Sequence, residues 1–174
     1  MLTKAEYDRL VNAANGDRQL CLIMETIAGT GIRVSELKYF TVETVKAGNV
    51  GIRNKGKKRM VLVSGKLRKR LIDFARERGI TSGAIFINRK GKPIDRSVIW
   101  DRMKKLCNTA KVVPTKVFPH NLRKLFARGF YKVMKDIVKL ADVLGHSSID
   151  TSRIYLLETG KEHLRIIERM GFVV

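Results

Sequence analysis

The sequence predicts a mainly helical α+β domain that carries one small antiparallel sheet. Three observations lead to this fold class. Apolar residues recur at the three- and four-residue spacing of a helix face through most of the chain. Only two short runs have the composition of strands, and a polar turn that contains glycine separates them. The three prolines all stand between periodic segments, which favours a single domain over 1–174.

Helix-start residues and apolar stripes predict the helices in order. Thr3 is followed three residues later by Glu6, which is the spacing of a capping box. Asp95 is a second N-cap, and Gly145 suits the end of a helix. We expect one helix to start at Thr3, one to end before residue 145 and a short one around residue 155. The other helices are expected at 17–28, 33–40, 66–78, 95–110, 120–132 and 161–170.

The strand signals are shorter. Segments 50–53 (VGIR) and 60–63 (MVLV) are predicted to pair as a hairpin around the polar turn 54–59. A third short strand is predicted at 84–88 (AIFIN). The segment 29–31 (GTG) is expected to interrupt the helix that precedes it.

The charge of the chain points to a polyanionic partner. The 174 residues include 36 Lys and Arg against 16 Asp and Glu, which gives a formal net charge of +20. These cations run through the apolar-periodic segments rather than forming a tail, so nucleic acid is the simplest partner. No apolar run reaches the roughly 18 residues of a membrane span, and the N-terminus does not resemble a signal peptide. Two cysteines cannot staple a disulfide scaffold, so we expect a reducing cytoplasm and no membrane.

Several residues could act on a phosphate group. His120 and Arg123 are three apart at a predicted helix start, and Arg33 is three residues before Glu36. A helix start with a guanidinium and an imidazole suits a phosphate, although each pair alone is more often a cap or a surface ion pair. Lys55 lies in the predicted hairpin turn, where a lysine is usually solvated but can also donate a proton.

Two further residues complete the candidate set. His146 follows Gly145, and Tyr155 follows nine residues later. A tyrosine is usually part of a core or an interface, and it attacks phosphorus only if its proton is removed. The sequence contains no metal-ligand spacing and no phosphate-binding glycine loop, so we expect no metal and no cofactor. Phosphoryl chemistry would then depend on cationic side chains.

The order and spacing of these motifs resemble the tyrosine site-specific recombinases, or phage integrase family. Segment 29–37 (GTGIRVSEL) resembles the motif around the family's first arginine, and 54–59 (NKGKKR) resembles its hairpin lysine motif. Segment 120–123 (HNLR) matches the His-x-x-Arg box. Segments 144–148 (LGHSS) and 154–155 (IY) match the closing histidine and the nucleophile. The motifs cover nearly the whole chain, from about residue 29 to 155.

The resemblance implies a role for each matching residue. Arg33 and Arg123 would grip the non-bridging oxygens of the scissile phosphate of a double-stranded DNA, and His146 would add a hydrogen bond. Tyr155 would attack phosphorus and form a 3′-phosphotyrosyl bond, while Lys55 would protonate the departing 5′ oxygen and His120 would help to accept the tyrosine proton. Glu36 would support the Arg33 region. Because the covalent bond conserves the phosphodiester energy, rejoining would need no ATP.

Two departures from the family pattern are visible. Lys124 stands where many relatives have a second histidine, and the residues after Tyr155 are Leu156 and Leu157 rather than Thr and His. Neither change removes a role given above. Within the hairpin, Lys57 or Lys58 could replace Lys55 as the proton donor, although the position before Gly56 fits the pattern best.

The resemblance also sets expectations about assembly. Members of the family usually have an N-terminal core-binding helical domain, so we expect 1–174 to be the catalytic domain of a longer protein, or else an unusually short protein. We expect a homo-tetramer on DNA, with the isolated domain monomeric, acting at the nucleoid of a prokaryotic cell. The apolar segment 170–174 could pack against its own domain or against a neighbouring protomer.

Other functions fit part of the sequence. A type IB topoisomerase-like enzyme would use similar residue types without a specific site. A basic DNA-binding module without catalysis would account for the charge equally well. Cys21 or Cys107 as the nucleophile is the remotest alternative, because both lie where burial is common.

Overall fold

A computed structural model describes residues 1–54 and 56–156, and the side chains of 154–156 lie outside that description. It confirms the predicted class, a mostly helical domain with a two-stranded antiparallel sheet. The helices are α1 (Lys4–Ala13), α2 (Arg18–Thr30), α3 (Val42–Ala47), α4 (Gly65–Glu77), α5 (Arg96–Lys105), α6 (Cys107–Ala110), α7 (Pro119–Met134), α8 (Ile137–Leu144) and α9 (Ile149–Leu156), with 3₁₀ helices at Val34–Tyr39 and Pro114–Lys116. The predicted helix at 161–170 and the apolar segment 170–174 lie outside the described residues.

Side-chain caps begin the helices where the sequence predicts them. Thr3 and Glu6 form a complete capping box at the start of α1. The Asp17 carboxylate accepts a hydrogen bond from the backbone N–H of Leu20, and the Asp95 carboxylate accepts one from that of Ser97. Each cap satisfies a backbone N–H that has no partner within its helix.

The hairpin consists of β1 (Asn49–Asn54) and β2 (Lys57–Leu62), which pair from Asn49 opposite Leu62 to Asn54 opposite Lys57. The connecting turn is therefore only 55–56, tighter than the predicted 54–59, and Gly56 has the positive φ that such a turn requires. Lys55 itself lies outside the described residues. The inward residues Val50, Ile52 and Val61 are buried, so the sheet packs one face on the core.

Three other predictions needed correction, and one helix was missed. The predicted strand at 84–88 is absent from the described fold: Thr41–Ala84 and Ile87–Pro93 are isolated bridges, and no neighbouring strand offers a ladder. The expected single helix at 95–110 divides at Leu106 into α5 and α6. Helix α2 extends through Gly29 and Thr30 and ends at Gly31, the last residue of the expected break, while the short helix expected at 33–40 is present as a 3₁₀ helix. Helix α3 was not predicted.

Helix α2 is the centre of the core. Leu22, Ile23, Met24 and Ile27 are fully buried on different sides of the helix, because α1, α4, α5 and α7 all pack around it. A helix that is apolar on most sides is expected in such a central position. Its C-terminal end therefore has a fixed place in the molecule, and the candidate site begins there. Within the described residues, none of the helices combines the length and the apolarity needed to cross a lipid bilayer.

Gly31 ends α2, and the atoms around it leave no room for a side chain. Its φ is +68°, and a Cβ atom there would overlap the Phe126 ring and lie 3.0 Å from a methyl carbon of Leu144. Gly31→Ala should therefore lower the free energy of unfolding by about 2–4 kcal/mol, from left-handed strain and overpacking together. Urea denaturation measures this change.

Gly129→Ala is the matched control. Gly129 lies within α7, is exposed, and has open space within 4 Å of the point where a Cβ atom would lie. The substitution should leave stability unchanged or raise it by up to about 1 kcal/mol through helix propensity. Equal effects of the two substitutions would contradict the steric account of Gly31.

Candidate active site

A cleft of about 650 Å³ brings three of the predicted site residues together. Arg33 comes from the start of the first 3₁₀ helix, and His120 and Arg123 come from the first turns of α7. These segments are about 90 residues apart in the chain, and they meet because α7 packs along α2. The cleft is lined by Ile32, Arg33, Val34, Ser35, Arg96, Ser97, Trp100, Phe118, Pro119, His120 and Arg123.

Arg123 is a buried cation, with 1% of its surface exposed. One terminal nitrogen donates to the carbonyl oxygen of Gly31, and the other donates to that of Leu144 at 2.7 Å. These carbonyls belong to the C-terminal ends of α2 and α8, where the helix dipoles are negative. Two helix ends therefore stabilise the buried guanidinium through neutral oxygen atoms.

Glu36 holds the other side of the site. Its carboxylate, only 4% exposed, accepts hydrogen bonds from the backbone N–H of Arg33 at 2.7 Å and from the Arg33 guanidinium at 3.2 Å. The Arg33 side chain keeps 38% of its surface exposed. The predicted support of Arg33 by Glu36 is thus a direct contact, and it leaves Arg33 accessible to an anion.

His146 links Arg123 to the last described helix. Its Nε2 lies 3.0 Å from an Arg123 nitrogen, and its Nδ1 lies 2.8 Å from the hydroxyl of the buried Ser152. Arginine can only donate, so Nε2 accepts and the proton of the neutral ring is on Nδ1. Desolvation, followed by repulsion from Arg123, Arg33 and Arg59, lowers the pKa of His146 to about 4.

His120 lies near the start of α7 beside the same cations. Desolvation lowers its pKa, and repulsion from Lys124, Arg123 and Arg33 adds to the effect. A lowered pKa keeps an imidazole neutral at neutral pH, and a neutral ring can accept a proton.

Two contributors to the site were missed by sequence reasoning. Arg59 on β2 donates to Glu36 at 2.5 Å and to the carbonyl oxygen of Val143 at 2.9 Å. Ser152 accepts the hydrogen bond that orients His146. The only indication of Ser152 in the sequence is its position six residues after His146. Nothing in the sequence indicates Arg59, because it stands among the other cations of a basic turn.

The remaining predicted residues are placed only in part. Lys55 lies outside the described residues, between the last residue of β1 and Gly56. Tyr155 belongs to α9, one helical turn after Ser152, and its side chain is outside the description. Cys21 and Cys107 are buried away from the cleft-lining residues, and burial raises the pKa of both thiols, which makes them poor nucleophiles.

The electrostatics of the site favour an anion. Among the side chains that the structure describes here, three guanidiniums (Arg33, Arg59 and Arg123) are close enough to His146 to lower its pKa, and only Arg33 and Arg59 contact the Glu36 carboxylate, so positive charges outnumber negative ones. The same part of the chain contains no group of three metal-ligating side chains. The arrangement can bind a phosphate and stabilise negative charge that develops on it.

Comparison with known proteins identifies the family of the chain. The sequence profile of the phage integrase family matches residues 1–162. The chain belongs to the phage integrase family. It is 36% identical over 140 residues to tyrosine recombinase XerH of Campylobacter jejuni, covering 77% of this chain and 40% of that protein. It is 30% identical over 161 residues to XerD of Chlamydia trachomatis, covering 85% and 53%.

Solved structures give the same fold. The crystal structure of XerA recombinase superimposes with a TM-score of 0.81 at 26% identity, over 99% of this family member and 64% of that chain. XerH bound to its difH substrate before cleavage superimposes with a TM-score of 0.77 at 24% identity, over 94% and 51%, which shows the fold alone. This family member spans about half the length of the curated relatives it matches.

The His146 geometry predicts a specific protonation behaviour. In ¹⁵N-edited NMR of the protein without DNA, the ring should show a proton on Nδ1 at pH 7, and the ring should titrate with a pKa of about 4. A midpoint near the ordinary value of about 6.5, or a proton on Nε2, would contradict the arrangement.

The stability of the folded protein should depend on pH through the protonation of His146. Because the folded-state pKa lies below that of the unfolded chain, the unfolded chain binds the proton first as the pH falls. The His146 contribution to the free energy of unfolding is present above about pH 6.5 and is lost between there and about pH 4. Over that pH range the free energy of unfolding of His146→Gln should fall less than that of the unchanged protein, as measured by urea denaturation at each pH.

Proposed function

We propose that this domain cleaves and rejoins DNA strands as a site-specific recombinase, through a 3′-phosphotyrosyl bond to Tyr155 and without metal or ATP. The observation that carries the proposal is the meeting of Arg33, His120 and Arg123 in one cleft, with His146 bonded to Arg123. The motifs that resemble those of the family occur in order along the chain, and three separate segments contribute Arg33, His120 with Arg123, and His146 to one place in the fold.

In the proposed reaction the two arginines bind the scissile phosphate. Arg33 is accessible and oriented by Glu36. Arg123 donates to two neutral carbonyl oxygens, and a phosphate oxygen forms stronger, charge-assisted hydrogen bonds with a guanidinium. Exchange of a carbonyl for a phosphate oxygen would place Arg123 where charge grows in the transition state.

The chemical step exchanges one ester bond for another. The Tyr155 oxygen forms a bond to phosphorus as the bond from phosphorus to the 5′ oxygen breaks, and that bond's electron pair leaves with the 5′ oxygen. His120 accepts the phenol proton, and Lys55 donates a proton to the departing oxygen, with Lys57 or Lys58 as alternative donors. The lowered pKa of His120 keeps its ring neutral, and a neutral ring has a nitrogen lone pair that can accept the proton. Attack by a 5′ hydroxyl reverses the step.

His146 would have to change its hydrogen bonding during the reaction. Without DNA its Nε2 accepts from Arg123. A phosphate oxygen is also an acceptor, so a bond from His146 to it requires a proton on Nε2. The negative charge of a bound phosphate raises the pKa of a neighbouring imidazole, which favours that proton.

We further propose that residues 1–174 form one catalytic domain that acts on double-stranded DNA, as part of a homo-tetramer, in the cytoplasm of a prokaryotic cell. The family membership and the +20 charge support a DNA partner. XerH and lambda integrase have been solved bound to DNA sites.

Covalent trapping tests the proposed function. A DNA site with a nick just 3′ of the scissile phosphate loses a short fragment on cleavage, so the protein–DNA adduct accumulates and is visible on a denaturing gel. The unchanged protein should form the adduct and Tyr155→Phe should form none, because only the phenol oxygen can become the ester. Both proteins should bind the same DNA equally.

Each alternative to the proposed function predicts a different result in these experiments. Equal adduct with Tyr155→Phe would show another nucleophile. Salt-sensitive DNA binding without adduct by the unchanged protein, on DNA that a longer family member cleaves, would favour a binding module. Relaxation of supercoiled DNA at any sequence by a monomer would favour a topoisomerase-like enzyme.

A further inference from the structure

We propose that Arg59 is a positioning residue that fixes the β1–β2 hairpin, whose turn contains the proposed proton donor Lys55, to Glu36 and to the last turn of α8. The inference rests on the proposed function and adds a residue that no motif role includes. Its basis is the set of contacts that Arg59 makes across three elements.

Arg59 connects the hairpin to both halves of the site. It projects from β2, where it pairs with Ile52 on β1. One terminal nitrogen donates to Glu36 at 2.5 Å, and the other donates to the carbonyl oxygen of Val143 in the last turn of α8 at 2.9 Å. Glu36 holds Arg33, and the residues after Val143 lead to His146.

The contacts of Arg59 distinguish it from a phosphate ligand. Arg33 and Arg123 line the cleft and Arg59 does not, and both terminal nitrogens of Arg59 donate to protein acceptors outside the cleft lining. Burial lowers its pKa while Glu36 opposes that shift, and a guanidinium remains charged under such conditions. It therefore acts on the reaction through the groups that it holds.

The fit around the Arg59 stem is close. A Cβ atom on Gly145 would lie 2.5 Å from Cδ of Arg59 and 2.6 Å from Nε. The stem thus passes directly against the turn that separates α8 from His146. Hydrogen bonds and packing together lock β2 onto this turn, and a lysine could not reproduce the two divergent contacts.

The hairpin needs such an anchor. A two-stranded sheet is marginally stable alone, and beyond the buried Ile52, which lies opposite Arg59, the described strand residues Arg53, Asn54, Lys57 and Lys58 are all exposed. Beyond Arg59, a hydrogen bond from the Tyr39 hydroxyl to the Arg53 carbonyl also reaches β1, but it is exposed. Because a displacement of about 1 Å can cost on the order of 100-fold in rate, loosening Arg59 should impair a donor in the turn.

The leaving group provides a test of this role. A DNA whose scissile 5′ oxygen is replaced by sulfur releases a thiolate, which needs no proton donor because a thiol is far more acidic than an alcohol. A defect in proton donation therefore disappears with the sulfur substrate. A defect in phosphate binding persists, because the charge on phosphorus still has to be stabilised.

Arg59→Met removes the guanidinium and keeps most of the stem. In single-turnover trapping we expect it to cleave the oxygen substrate about 10- to 100-fold more slowly than the unchanged protein, and the sulfur substrate within about 3-fold of it. Arg59→Lys should fall between the two on the oxygen substrate. Arg33→Lys is the matched comparison, and it should be slow on both substrates.

Several results would overturn the inference. Unchanged cleavage of the oxygen substrate by Arg59→Met would remove its role, and an equal loss on both substrates would assign Arg59 to phosphate binding or folding instead. Circular dichroism and thermal unfolding show whether each variant folds. If Arg59→Met does not fold, the same comparison of the oxygen and sulfur substrates is made with Arg59→Lys. Absence of adduct from the unchanged protein on either substrate would contradict the proposed function rather than the role of Arg59.

Discussion

The burial of the Arg123 guanidinium is the constraint on which the rest of the site depends. A buried cation is costly unless it is paired and hydrogen-bonded. Here the carbonyls of Gly31 and Leu144, at the ends of two helices, supply negative partial charge. Because these oxygens are neutral, they hold the guanidinium without cancelling its charge. A carboxylate in the same place would cancel it.

This arrangement explains why both helices end in glycine. Gly31 and Gly145 each have a positive φ, which ends the helix and leaves the last carbonyls pointing along its axis. The space where a side chain would lie is occupied by the Phe126 ring at Gly31 and by the Arg59 side chain at Gly145. Backbone direction and close packing are therefore satisfied by the same residue type at both ends of the Arg123 site.

Sequence patterns could predict the residues that face the cleft and the partner of Arg33, Glu36, but not the longer-range contacts of Arg59. Arg33, His120 and Arg123 were selected because the order of their motifs resembles the phage integrase family, so their selection did not need the fold. The role of Arg59 depends on Val143, which is 84 residues away, and nothing within segment 54–59 distinguishes Arg59 from its lysine neighbours. The segment 84–88 failed for a similar reason: its apolar residues are buried like those of a strand, but a strand also needs a neighbour. Helix boundaries such as the one between α5 and α6 depended on packing that periodicity does not contain.

The hydrogen bonds from Ser152 through His146 to Arg123 connect the Tyr155 helix to the phosphate site. The position of α9 affects the orientation of the imidazole, and the imidazole accepts from the same guanidinium nitrogen that contacts Leu144. A change at either end must therefore be felt at the other, since His146 cannot keep both hydrogen bonds if one partner moves. The orientation of α9 and the hydrogen bonding of Arg123 are therefore linked through one imidazole, in addition to the packing of α9 against α7 and α8.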